Sequence, residues 1–203
     1  MKFSILLLPL FVLSSCSRGQ SYNDSILQYR QQYKVGFLSD ESSPLKASDT
    51  AYLRFYAPNE KYCVTADFKV TPGTDTFIIP THSGKNKVFK QYGIATFKIN
   101  DTILTLHIYQ SIDLIKRDPK FKDYLFVPFT DMTNYTETYG GGRYIDLSTS
   151  DIEGSKVVLD FNKCYNPYCA FASGYSCPIP PKENDLHVAI KAGEQLFAKK
   201  TQE

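Results

Sequence analysis

From residue 62 to residue 70 the chain changes side at every step. Tyr62, Val64, Ala66, Phe68 and Val70 fall on one face, and Cys63, Thr65, Asp67 and Lys69 on the other. A period of two is the signature of a strand with one face buried, and a helix cannot present it. Thr71-Pro72-Gly73-Thr74 then supplies turn chemistry. Similar runs are expected at 52–56, 76–79, 93–99, 103–110, 124–129, 143–147, 156–161 and 186–191, and Asn100-Asp101 between two of them is a tight hairpin signal. About nine short strands parted by turns predict an all-β domain, an antiparallel sandwich or partly open barrel. No strand–helix alternation points to a doubly wound parallel sheet.

The period changes before this β region. Ile26, Tyr29, Arg30, Tyr33 and Phe37 follow helical spacing, Leu27 widens the apolar face, and Asp24 or Ser25 can cap the start. The expected fold is therefore all-β with an N-terminal helix over 21–37.

The first sixteen residues carry an address rather than a fold. Lys2 is a positive start, and residues 3–13 form an apolar run broken only by Ser4 and Pro9. That run is too short for a bilayer core, which needs ~20 helical residues, so it predicts a secretory signal. It ends in Leu13-Ser14-Ser15-Cys16, which resembles the lipobox of bacterial lipoproteins. The resemblance implies cleavage before Cys16 and lipidation of its sulfur and new amino group by diacylglycerol and an acyl chain such as palmitate. Two or three chains on one cysteine hold a protein at a membrane, whereas one binds marginally. The expected layout is a signal peptide at 1–15, a lipidated tether at 16–22 and one domain at 23–203. The expected location is the cell envelope, on a periplasmic or outer-membrane face.

Charge narrows the partners. With 23 Lys+Arg against 21 Asp+Glu the formal net charge is +2, so nucleic acid is not an expected partner. Besides Cys16 the chain has Cys63, Cys164, Cys169 and Cys177. Four cysteines in an exported protein allow two disulfides in three connectivities, and the pair bracketing a loop, Cys169 and Cys177, is the favoured bridge. The spacing is not that of a zinc site, and His82, His107 and His187 are too dispersed to hold a metal.

Several local sequences are unusual: 127–133 (VPFTDMT), 137–144 (ETYGGGRY), 159–162 (LDFN), 165–171 (YNPYCAF), 177–184 (CPIPPKEN) and 189–194 (AIKAGE). In this order they resemble a bacterial and archaeal family catalogued as domain of unknown function 1684, with a weaker match back to Ser43-Pro44-Leu45. The resemblance implies no activity. It marks these segments as family features, and His187 stands where members tend to carry proline.

Two constellations are candidate sites. In Gly140-Gly141-Gly142-Arg143 the glycines can turn N–H groups toward an anion, and Arg143 offers a planar fork for carboxylate or phosphate. The alternative is a loop entering a strand, with Arg143 paired to Asp146, Asp160 or Glu183. The second constellation runs from Asp160 through Asn166-Pro167 to Glu183 and Asn184, rigid loops suited to holding polar groups or to capping their own backbone. The expected function is binding of a small polar or anionic ligand by Arg143, Asp160, Asn166, Glu183 and Asn184. Alternatives are a hydrolase or isomerase using acidic residues beside Arg143, from among Asp131, Glu137, Asp160 and Glu183, and a structural or assembly lipoprotein.

Overall fold

A computed structural model describes residues 21–73 and 75–199. The signal segment, Cys16 and the tether up to residue 20 lie outside the described residues. Helix α1 (Tyr22–Ser39) opens the fold. Its cap is Ser21, not Asp24 or Ser25: Ser21 is extended and accepts a hydrogen bond from the Asp24 N–H at 3.2 Å, so both expected caps are already inside the first turn. The helix buries Ile26, Arg30 and Phe37, while Leu27 is 54% exposed and does not join that face. Arg30 donates to the Tyr56 carbonyl at 2.7 Å and lies 4.9 Å from the Phe55 ring, which docks the helix.

Nine strands form one open, mostly antiparallel sheet. They are β1 (Cys63–Val70), β2 (Thr76–Pro80), β3 (Asn86–Ile99), β4 (Thr102–Ser111), β5 (Tyr124–Asp131), β6 (Arg143–Ser148), β7 (Ile152–Glu153), β8 (Lys156–Asp160) and β9 (Asp185–Leu186). A short helix α2 (Ile112–Arg117), which the sequence pattern does not announce, follows β4. The order across the sheet is β6-β5-β4-β3-β1-β8-β7, with β2 on the first half of β3 and β9 on β5. Asn100 and Asp101 both take positive φ, as the two-residue β3–β4 hairpin requires.

Two strand expectations change. The 52–56 run is not a strand: a 3₁₀ turn covers Ala47–Tyr52, and only Phe55 bridges, to Glu194. Leu53 instead packs with Phe37, Leu45 and Phe171 beneath the helix. The 186–191 run pairs only at its start and, unlike every other strand pairing among the described residues, in parallel with β5. Beyond Leu186 the chain is a strap without a regular ladder: some of its groups bond to the side chains of Arg143 and Asp131 and others to scattered backbone groups, as the Val188 carbonyl does to the Met132 N–H.

The principal core lies on one sheet face, from Phe68, Phe97 and Leu106 to Val127, Phe129, Ile145 and Leu159. On the opposite face Ile79, Phe89, Tyr109, Phe126 and Tyr144 form a second, aromatic cluster. Strands β5 and β6 therefore bury residues on both faces, which places two different environments on either side of the same backbone.

Candidate functional site

Strand β6 alternates as any strand must, so Arg143 and Ile145 face the principal core while Tyr144 and Asp146 face the aromatic side. Gly142 makes the entry possible. It has φ +85°, and a Cβ there would lie 2.6 Å from the Phe129 carbonyl oxygen. The glycine run thus turns the chain tightly into β6.

The guanidinium that follows is sealed. Arg143 and Asp131 are both 0% exposed at the side chain and pair at 2.7 Å. Arg143 also donates to the carbonyls of Ile190, Ala192 and Glu194, and Asp131 accepts from the N–H groups of Thr133 and Ile190. One buried pair thereby fastens the C-terminal strap onto the sheet. This corrects the anion-site reading of Arg143: its two η nitrogens are taken by the chain itself, the whole side chain is sealed from solvent, and its partner is none of Asp146, Asp160 and Glu183. Asp131, the acid beside it, is equally beyond the reach of a substrate.

The other expected ligand residues are also engaged, each in a different place. Asp160 accepts from the Tyr22 hydroxyl at 2.9 Å and the Asn162 N–H at 3.1 Å, anchoring the start of α1. Asn166 is fully buried; its N–H donates to the Glu194 carboxylate at 2.8 Å and its amide to the Gln195 carbonyl at 2.8 Å. Asn184 accepts from the His107 N–H at 2.7 Å and donates to the carbonyls of His107 and Pro128. It bridges β4 and β5 where Pro128 has no N–H to offer a ladder. Glu183 accepts from the Tyr109 hydroxyl at 2.9 Å. The five do not converge on one cavity. Cys169 and Cys177 stand as thiols: the Cys169 N–H donates to the Cys177 sulfur at 3.2 Å, while the Cys169 thiol is turned to the Tyr175 carbonyl.

The cavity is on the aromatic face. A cleft of 860 Å³ opens between α1, α2, β3 and the loop after β8. Tyr29, Tyr33, Gly36 and Phe37 of α1 form one wall, and Lys87, Phe89, Asp113 and Arg117 line the opposite side. Tyr124, Phe126, Tyr144 and Asp146 come from β5 and β6. Tyr165 and Tyr168 complete the lining on the loop. That loop is held to the end of α1 by the Tyr168 hydroxyl on Asp40 and the Tyr175 hydroxyl on the Ser42 carbonyl. The size and aromatic lining match those of small-molecule sites.

Three acids line the cleft, and two are committed. Asp40 holds Tyr168, and Asp113 accepts from the Val88 N–H at 2.7 Å, fixing α2 on β3. Asp146 differs. Its Oδ1 accepts the hydroxyls of Tyr124 and Tyr165, each at 2.7 Å, and its Oδ2 has no partner among the described residues. Its side chain meets solvent through the cleft mouth, yet protein surrounds it on nearly every side. This burial raises the carboxyl above the usual range, against the pull of the two tyrosine hydroxyls. Burial likewise lifts the hydroxyls of Tyr124, Tyr165 and Tyr144 well above their ordinary values and lowers the Lys87 ammonium. Neither Lys87 nor Arg117 has an ion-pair partner among the described residues.

Behind the Tyr33 wall sits a second unusual acid. Glu194 is 0% exposed; its Oε2 accepts from Tyr33 and from the Asn166 N–H, and its Oε1 has no partner among the described residues. Burial raises its pKa to about 8, with the Asn166 and Tyr33 hydrogen bonds opposing.

A family model described as "Protein of unknown function (DUF1684)" matches residues 49–195. Among solved structures, the solution NMR structure of an uncharacterized protein of Haloarcula marismortui is similar, with a TM-score of 0.65 and 27% identity, covering 84% of this chain and 92% of that one. No curated protein matches the chain.

Proposed function

The chain belongs to that family of unknown function, and from this premise we propose a lipid-anchored envelope protein whose aromatic cleft binds a small organic ligand. The observation that carries the binding half is the cleft itself: 860 Å³, walled by tyrosine and phenylalanine, with ionic groups not committed to one another. The anionic group first expected at Arg143 finds accessible cations at Lys87 and Arg117, on the α2 side. The anchoring half rests on the order of positive start, short apolar run and Leu13-Ser14-Ser15-Cys16. No helix among the described residues is long and apolar enough to cross a membrane.

Gly36 supplies a clean test. It lines the cleft from a helix, and a Cβ there meets nothing within 4 Å. Gly36→Trp should fill the cleft without disturbing the fold. The full chain in maltoside micelles is expected to bind naphthalene-2-sulfonate, an aromatic anion, saturably by ligand-observed NMR. The Trp variant should melt normally and bind none above empty micelles. Equal binding by both proteins would remove the cleft from the function. Cys16→Ser should shift the chain from the membrane pellet to the soluble fraction and abolish palmitate labelling, and retention of both would end the anchoring proposal.

A further inference from the structure

We propose that the Asp146 end of the cleft is a subsite for an organic ammonium group; this rests on the cleft being a ligand site and names the chemistry of one end of it. Three observations converge. First, Asp146 presents an open oxygen: Oδ1 is fixed by the hydroxyls of Tyr124 and Tyr165, and Oδ2 is left without a partner among the described residues. Second, none of the ion pairs among the described residues includes Asp146, so its charge is not neutralised from within. Third, the rings around it are tyrosines. Tyr124 and Tyr165 bond to it directly, Tyr33 lies 6.0 Å from Tyr165, and Tyr29 is close enough for the Asp146 charge to add to burial in pushing its hydroxyl up to about 12.

A carboxylate among tyrosine rings suits one ligand class above others. The negative faces of tyrosine rings attract a cation, most strongly where water is thinned out, and aromatic cages use this to hold quaternary ammonium groups. The same surroundings oppose an anion near Asp146. A neutral ring or sugar would fill the space but cover the carboxylate without pairing it. A metal ion is less suited, because no group of three or more His, Cys, Asp or Glu side chains gathers among the described residues. The raised Asp146 carboxyl agrees: protein crowds this acid on most sides, leaves it open to solvent through the cleft, and supplies no counter-charge. Lys87 and Arg117 sit on the α2 side of the cleft, and neither contributes to the Asp146 shift. The cleft therefore offers opposite charges at two stations, with aromatic surface between.

The test compares choline with its neutral isostere 3,3-dimethylbutan-1-ol, titrated calorimetrically into the full chain in maltoside micelles. Choline is expected to bind at least about tenfold more tightly than the isostere, as a desolvated cation–π contact with a carboxylate implies. Asp146→Asn keeps an acceptor for the two tyrosine hydroxyls and should erase that advantage while leaving the isostere unchanged. Ethanolamine reports whether the head group is methylated, and preference for either amine over the isostere supports the proposal. Binding of both amines no tighter than the isostere to wild type overturns it, as does an amine advantage that survives in Asp146→Asn. The wild-type comparison stands even if the variant does not fold. If naphthalene-2-sulfonate binds and neither amine does, the ammonium subsite fails and the cleft survives; if none of them binds, both fail.

Discussion

Arg143 and Asp146 lie three residues apart on one strand and illustrate opposite uses of a charge. Three is odd, so the strand sends them to opposite faces. Arg143 enters the principal core and finds Asp131 and three strap carbonyls waiting; its η nitrogens are all engaged, and nothing outside the chain can reach it. Asp146 enters the aromatic face and finds two tyrosine hydroxyls, no cation and an open cleft. A buried charge met by the chain's own groups is architecture, whereas one left unmet beside a cavity is an invitation to a ligand.

The widest separation between the two should appear in stability. Arg143→Gln leaves Asp131 as a buried, unpaired carboxylate and frees the strap carbonyls. Breaking one side of a buried pair is worth ~3–5 kcal/mol, and denaturant unfolding should show a loss of that size. Asp146→Asn retains an acceptor for Tyr124 and Tyr165 at the edge of a wet cleft, so its change should stay within about 0.5 kcal/mol. Equal losses in the two variants would break the comparison, because Asp146 would then be architectural as well.

A pH-dependent effect separates the two acids that flank the Tyr33 wall. Glu194 has a folded pKa of about 8, above its unfolded value, so the folded chain holds a proton that the unfolded chain releases. Its contribution to stability is fully present below the unfolded pKa and is lost as pH rises through about 8. The slope from this single group can reach about 1.4 kcal/mol per pH unit. Titrating stability from pH 5 to 9 should therefore show a decline in wild type that Glu194→Gln flattens. Asp146→Asn should retain that decline, which would identify the sealed acid as the source of the alkaline weakness. A Glu194→Gln profile that tracks wild type would locate the titration elsewhere.

Much of the fold was readable from period alone, because each strand of β1 to β6 shows alternation or a short apolar run bounded by turn residues. The run at 52–56 misled because alternation needs a neighbouring strand to become a sheet, and Leu53 found the helix instead. The strap after Leu186 misled for the converse reason: the Ile190 N–H and the Ile190, Ala192 and Glu194 carbonyls are satisfied by Asp131 and Arg143, distant side chains that no local pattern announces. The site was less legible. Arg143 drew attention because glycines preceded it, yet those glycines serve a tight entry that lets an arginine be buried. Asp146 carried a quieter signal, a charged residue facing the same way as Tyr144 on a strand buried on both faces. Its partners Tyr29, Tyr33, Tyr124 and Tyr165 arrive from three separate segments, and only the tertiary fold brings them together.

The smallest effect is at Gly36, and it bears on why the cleft is open. A glycine inside a helix, with ordinary helical φ and nothing near its missing Cβ, stabilises less than alanine would by ~0.5–1 kcal/mol. Gly36→Ala should therefore raise stability by that amount in denaturant unfolding, chiefly by restricting the unfolded chain. The same methyl group projects into the cleft beside Tyr33 and Phe37. If ligand needs the space, affinity for naphthalene-2-sulfonate should fall a few-fold as stability rises, the two changes running in opposite directions. Arg143→Gln, by contrast, should lower both, since a loosened strap disturbs Glu194 and with it Tyr33. A Gly36→Ala variant that gains stability and keeps its affinity would show that ligand does not approach this wall, and would shift the occupied volume toward β6 and Asp146.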